Sequence, residues 1–487
     1  MTTLHKKAAS ATKWSALDVV MRQGLQGIVV MVLARILTPE DFGVVAMLAI
    51  FIGVAGVFID SGFSSALIQR QNTTPTDEAT VFFFNIMVGA IVALLLCAAA
   101  PWIAVFFKHP VLQYLTYAVA FNLFIGAWGS IHTTLLSKEL NFKVTAKVGL
   151  VTSLLSGVLA IIMATQGFGV WSLAGQMLAA SVMTVVLLWT WHPWRPQWVF
   201  SSESMRSLFR FGGYLTGTGL VSVLHMNLYS VLIGRFYSVH DVGIYDVAQK
   251  TQLMSGNLIM SVISRVAYPV FSATAQDKER LVRGFRKAQK LVMFVNIPLM
   301  LTIIVLADPI VRIFFGNQWL ACVPVLQILG VVGILYPMQV LNLNILMAQG
   351  RSDLLFNTML LKRSVAIGLT IAASFYGILA IAWAQVLASI FSLWVNTHYS
   401  DVFLDYGIFK QLRDLLAYAA AVIPAVLGMC ALLFFTDLPD YLDLILATGI
   451  GGGLYLLASH FLRVEAHSEI MNLLRKVKGS NLVAEEL

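Results

Sequence analysis

The sequence predicts an all-α integral membrane protein of 14 transmembrane helices: two six-helix lobes related as parallel repeats, then two C-terminal helices. Three observations predict it. The 487 residues are 59% hydrophobic and only 11% charged, whereas soluble chains run about half apolar and about a quarter charged. Apolar stretches of about 20 residues, enough for a helix to cross roughly 30 Å of hydrocarbon, recur from end to end. A signature also repeats. Arg35, Asp41 and Gly43 in MVLARILTPEDFGVV return 200 residues later as Arg235, Asp241 and Gly243 in VLIGRFYSVHDVGIY, as a duplicated membrane unit requires.

In chain order the predicted spans are 14–37, 44–66, 79–107, 111–136, 144–166 and 170–191, then 211–236, 244–270, 288–315, 322–348, 355–376 and 378–399. Two more follow, 414–436 and 443–463. The first run is long, carries Asp18 and Arg22 and lacks a small-residue cleavage site after a short core, so it stays as helix one and is no signal peptide. Pro193, Pro196 and a serine cluster mark a linker between the halves. Because six is even, the second repeat starts on the side where the first did. The expected organisation is an N-lobe (1–191), a cytoplasmic linker (192–210), a C-lobe (211–400), and 401–487 for the last two helices and a cytoplasmic tail.

Basic residues orient the chain, since cytoplasmic loops are enriched in them. With the N-terminus inside, inner segments hold most of them, among these Lys138, Lys143, Lys147, Arg206, Arg210, Lys362 and Arg363. The outer side keeps Arg35, Lys108, Arg235 and Arg312. Both termini are therefore expected in the cytoplasm. The net charge of +8 follows from this topology and gives no reason to invoke nucleic acid. The densest run, Lys278 to Lys290, reads as positive-inside loop sequence; the alternative is an amphipathic helix on anionic headgroups.

Enzyme chemistry finds no purchase here. Cys97, Cys322 and Cys430 lie in separate apolar segments without ligand spacing. There is no GxxxxGK[ST] loop, no histidine pair at metal spacing and no nucleophile elbow, and the outer loops are very short. No cofactor is expected. Transport not driven by bound ATP remains.

Ionisable groups inside spans are costly and mark a pathway. In helix one, Ser15, Asp18, Arg22 and Gln26 share a face; in helix seven, Thr218, Ser222, His225 and Tyr229 do. Helix eight carries Asp246, Lys250, Asn257, Ser261 and Arg265 along one side. Arg22 lies roughly 13 Å in from Lys13, near the membrane middle. With Lys250 and Arg265 it would form a ladder of positive charge suited to an anionic cargo. Two readings of the acids stand open: Asp18 and Asp246 pair with the cations four residues on, or they couple an ion. Arg265 has the alternative of snorkelling to the headgroups. Asp60 is a third ion-coupling candidate, against a capping role near the end of helix two. Asp308, before Pro309, reads as a helix stop. Arg35 with Asp41, and Arg235 with Asp241, read as pairs across tight hairpins, each ended by its glycine.

The stretches VLARILTPEDFGVVAM (32–47), DSGFSSALIQR (60–70), LLSKELNFK (135–143), FFGNQWLACVPVLQILGVVGIL (314–335) and LMAQGRSDLLFN (346–357) resemble bacterial Wzx-type polysaccharide-repeat flippases, especially the colanic-acid branch. Those belong to the multidrug/oligosaccharidyl-lipid/polysaccharide exporter superfamily. The likeness runs in order over roughly residues 10–400. It implies a bacterial inner-membrane protein that turns an undecaprenyl-pyrophosphate-linked oligosaccharide to the periplasmic leaflet by alternating access, for exopolysaccharide, capsule or O-antigen synthesis. It further implies two lobes around a cavity, a diphosphate held by cavity arginines such as Arg22, and membrane lipid and a polysaccharide polymerase as candidate partners. The rivals are a cation-coupled multidrug extruder of the same superfamily and a membrane glycosyltransferase or ligase acting on the same lipid.

Overall fold

A computed structural model describes residues 14, 21–70, 72–273, 277–436 and 438–469. Asp18 lies outside them. So do the side chains of Asn257, Ser261 and Arg265, although their backbone is helical. Among the described residues there are helices and no strand.

The elements are α1 (21–36), α2 (Pro39–Asp60), α3 (Phe63–Gln69), α4 (Pro75–Phe107), α5 (Val111–Lys138), α6 (Phe142–Thr165), α7 (Val170–Trp191), α8 (Ser202–Phe236) and α9 (Val239–Ala273). They continue with α10 (Lys278–Val305), α11 (Ala307–Phe314), α12 (Cys322–Ala348), α13 (Ser352–Ala373), α14 (Ile378–Leu404), α15 (Ile408–Phe435) and α16 (Asp440–Phe461). Among the described residues, 12 helices are long and apolar enough to cross a membrane. They match every expected span except the first and the eighth, which coincide with α1 and with the more polar α9. The protein is a multi-pass membrane protein.

Three expectations are corrected. Span 44–66 is broken. Asp60 ends α2, Ser61 and Gly62 take left-handed φ of 45° and 69°, and α3 restarts at Phe63. Position 62 must be glycine, because a Cβ there would meet Gly212 O of α8 at 2.5 Å. Span 288–315 is likewise two helices, and Pro309 sits in the first turn of α11, where its missing N–H costs nothing. Asp308 accepts Arg312 Nε at 3.0 and 3.2 Å, so it supports the new helix instead of ending the old one. The basic run 278–290 is not a loop. It forms the first half of α10, whose N-cap Asp277 accepts Arg280 N at 3.0 Å.

Each copy of the repeated signature lies at a tight turn between helices, α1 to α2 and α8 to α9, as expected, but its aspartate caps the helix that follows. Thr38 and Asp41 form a capping box at the start of α2, with Thr38 N donating to Asp41 Oδ2 at 3.0 Å and Asp41 N to Thr38 Oγ1 at 3.4 Å. Ser238 and Asp241 repeat it in α9 at 3.2 and 3.1 Å. Each motif satisfies donors that a helix start leaves open. The glycines do not end hairpins. Gly43 and Gly243 lie inside their helices, where a Cβ would come within 2.0 Å of Val239 O and 1.9 Å of Pro39 O, respectively. Backbone contact requires glycine there.

Two compact units result, Met1–Asp246 and Val247–Leu487. The first packs α4 on α5, where Gly89 faces Ala127, and has a core around Phe63, Leu67, Phe82, Ile131 and Leu208. The segment expected as a linker, 192–210, becomes α8 from Ser202 onward. Its preceding stretch is pinned down: Trp194 Nε1 donates to Glu78 at 2.7 Å, and Arg195 donates to the carbonyls of Trp189, His192 and Trp194.

In the second unit α10, α12, α15 and α16 share a core of Met293, Phe294, Met338, Tyr418, Ala421 and Tyr455. An amide network crosses it. Gln411 Nε2 donates to Asn342 Oδ1 at 2.9 Å, Asn342 Nδ2 returns to Gln411 Oε1 at 3.0 Å, and Ser400 Oγ and Gln289 Nε2 add bonds of 2.6 and 3.2 Å. It ties α15 to α10, α12 and α14.

Candidate functional site

Polar groups in a spanning helix must be satisfied by the protein or by water, so the site is built from the partners each one finds. On α1, Arg22 and Gln26 are exposed. On α8, Ser222 Oγ donates back to Thr218 O at 2.9 Å, and Asn227 Nδ2 to Val223 O at 2.9 Å. The Ser222 hydroxyl is thus spent within its own helix. His225 lies half-buried beside it.

One turn on, the stripe becomes a buried pair. Tyr229 OH donates to Asp246 Oδ1 at 3.0 Å, and the rings of Tyr229 and Tyr245 lie 4.8 Å apart. Asp246 is 2% exposed. The spacing singled out Lys250 as its partner; the structure adds a phenol from the preceding helix. Lys250 itself is exposed on α9.

Asp60 belongs to a different cluster. Ser64 Oγ donates to it, and Thr134 Oγ1 of α5 donates to Ser64 at 2.8 Å. Nearby, Asn85 reaches Ser130 at 3.3 Å. This fastens the broken α2–α3 corner onto α5.

Sequence reasoning missed a group in the second unit. Lys362 and Arg363, counted above as cytoplasmic, occupy the middle of the α13 span Asp353–Ala373. Lys362 Nζ donates to Asn396 Oδ1 on α14 at 2.6 Å, Asn396 Nδ2 donates to Gln339 O on α12 at 3.2 Å, and Gln339 Nε2 to Ser389 Oγ at 2.5 Å. The signal was present. Both residues fall well inside the expected span 355–376, and their position should have outweighed their sign.

A second missed group is the buried pair His132 and His192, whose Nδ1 atoms lie 2.9 Å apart. Such a contact requires one ring to donate and the other to accept. Trp189 and Trp194 pack on His132. The pair closes the end of α7 against α5.

A cavity of about 230 Å³ is lined by Arg283, Arg286, Lys287, Lys290, Glu465 and Glu469. Its charges are matched. Arg286 grips Asp414 through Nε at 2.7 Å and Nη2 at 2.9 Å, Lys287 meets Glu469 at 2.9 Å and Lys290 meets Glu465 at 2.6 Å. Tyr406 OH also donates to Asp414 at 2.7 Å; burial, then that bond, pushes its phenol up. Lys410 beside Asp405 holds that carboxyl below the usual carboxylate range. Among the described residues no cluster of three or more His, Cys, Asp or Glu could hold a metal ion.

Comparison with known proteins adds to this geometry. Residues 32–324 match the family described as polysaccharide biosynthesis protein. The teichuronic acid biosynthesis protein TuaB of Bacillus subtilis (strain 168) is 28% identical over 80% of this chain and 81% of its own. The lipopolysaccharide biosynthesis protein WzxC of Escherichia coli (strain K12) is 27% identical over 81% of each. Among solved structures, the lipid II flippase MurJ in an inward closed conformation superimposes with a TM-score of 0.74 at 15% identity, covering 93% of this chain and 99% of that one.

Proposed function

The chain belongs to the polysaccharide biosynthesis protein family, and on that premise we propose that it is a flippase for an undecaprenyl-pyrophosphate-linked oligosaccharide repeat unit. It moves the unit from the cytoplasmic to the periplasmic leaflet of the bacterial inner membrane by alternating access, with both termini cytoplasmic. The observation that carries this reading is the union in one chain of that family match with a fold shared along 93% of its length with a lipid flippase. The 14-helix count, six plus six plus two, belongs to the same reading.

Arg22, Lys250 and Arg265 are the candidate cationic contacts for the diphosphate, replacing its hydration by charge-assisted hydrogen bonds. Asp18, Gln26, Thr218, Ser222, His225, Asn257 and Ser261 line the wet path of the sugar. Asp18, Asp246 and Asp60 are the ion-coupling candidates. The last two carry a physical cost, because an ion at Asp246 must compete with the phenol of Tyr229, and one at Asp60 with Ser64. A polysaccharide polymerase is the expected downstream partner.

Reconstitution of the full chain in liposomes with a fluorescent lipid-linked oligosaccharide tests the reading. Leaflet transfer without change in the sugar is expected. Sugar transfer, or cation uptake with no lipid movement, overturns it in favour of a glycosyltransferase or an extruder.

A further inference from the structure

Lys362 and Arg363 pose a problem that the proposed contacts leave unsolved. Lys362 stands nine residues from Asp353 and Arg363 ten residues from Ala373, the two ends of the span. At 1.5 Å per residue each is about 14 Å from the nearer end, beyond the reach of a side chain that snorkels to the headgroups. Lys362 does not point away to either surface in any case, since Asn396 of α14 holds its ammonium at 2.6 Å. Asn396 is 2% exposed and is itself fixed to Gln339 O.

The charges are uncompensated among the described residues. Among the described residues no carboxylate forms an ion pair with either cation, and none accepts a hydrogen bond from Arg363. A guanidinium stays charged at any pH the cell meets, with five donors in a planar fork, and an uncompensated charge at mid-membrane depth marks a ligand path.

We propose that Lys362 and Arg363, braced by Asn396, form a phosphate-binding subsite within the second unit that takes a phosphate or diphosphate group partway across the membrane. Arg363 supplies the fork and Lys362 the point charge, while Asn396 fixes the ammonium so that two of its three donors remain for the ligand. This rests on the flippase reading for the identity of the cargo. Phosphate chemistry alone does not separate the cargo's diphosphate from a phospholipid headgroup.

The test uses the full-length chain in detergent micelles with three probes: farnesyl diphosphate, inorganic pyrophosphate and phosphatidylglycerol, each read by native mass spectrometry and by shift of melting temperature. Arg363→Gln is expected to weaken farnesyl diphosphate about tenfold or more, as loss of a charge-assisted contact does. Arg363→Lys is expected to weaken it less, and Asn396→Leu to weaken it with both cations still present. If pyrophosphate is affected equally, the free anion suffices. If only phosphatidylglycerol responds, the subsite stands with a lipid headgroup as its source.

Unchanged affinity for all three probes in Arg363→Gln, or in Arg363→Lys together with Asn396→Leu where the glutamine variant fails to accumulate, overturns the subsite. The two proposals fail separately. Wild-type leaflet transfer beside unchanged binding in the variants removes the subsite alone, while Arg363-dependent binding without transfer removes the flippase alone.

Discussion

The backbone of Gly243 packs directly on that of Gly43: a Cβ on Gly243 would lie 3.1 Å from Gly43 N and 1.9 Å from Pro39 O. The two copies of the repeated signature therefore meet at their glycines, each at the start of its own helix. Alanine at either position cannot be absorbed by a side-chain rotation, because the obstacle is backbone.

Gly243→Ala and Gly43→Ala are each expected to destabilise by about 1–3 kcal/mol or more, the range for overpacking. Melting of the purified protein in detergent checks this. A melting temperature equal to wild type would show that the helices separate freely at this point.

The capping boxes give a milder outcome. Thr38→Ala and Ser238→Ala are each expected to cost about 1 kcal/mol, whereas Thr38→Ser restores nearly all of it, since the hydroxyl and not the methyl accepts Asp41 N. The same melting assay separates these variants.

Tyr229→Phe removes the donor from a buried carboxylate and is expected to cost about 1–3 kcal/mol. Asp246→Asn keeps an acceptor and should cost less. A double-mutant cycle between the two positions measures their coupling, and a coupling near zero would mean that the 3.0 Å bond contributes nothing.

Arg22→Ala is expected to abolish repeat-unit export with normal protein levels in the membrane, and Arg22→Lys to retain part of it, as the charge survives without the fork. Complementation of a flippase-null strain is the measurement. Full complementation by the alanine variant removes Arg22 from the path.

How far the sequence anticipated these features depended on the range of the force involved. The spans were legible because hydropathy is local, and the duplicated signature because its copies stay in phase. The need for glycine at position 62, beside the break, was not legible, since the backbone that a side chain there would strike is that of Gly212, 150 residues away. Asp246 was visible as a costly acid, but one-dimensional spacing showed only the lysine four residues on, not Tyr229 across the turn. Lys362 and Arg363 escaped for another reason: counting basic residues by side of the membrane hid two that lie between the sides.

The matched charges at the base of α10 bear on how the protein must be handled. Arg286, Lys287 and Lys290 draw their counter-ions from Asp414, Glu469 and Glu465, all beyond the last residue of α14, Leu404. A chain cut after Leu404 loses all three acids and keeps all three cations. Such a fragment is expected to bind cation-exchange resin and contaminating nucleic acid at low salt, more tightly than its gain in net positive charge alone suggests. Full-length protein, by contrast, presents this surface already neutralised.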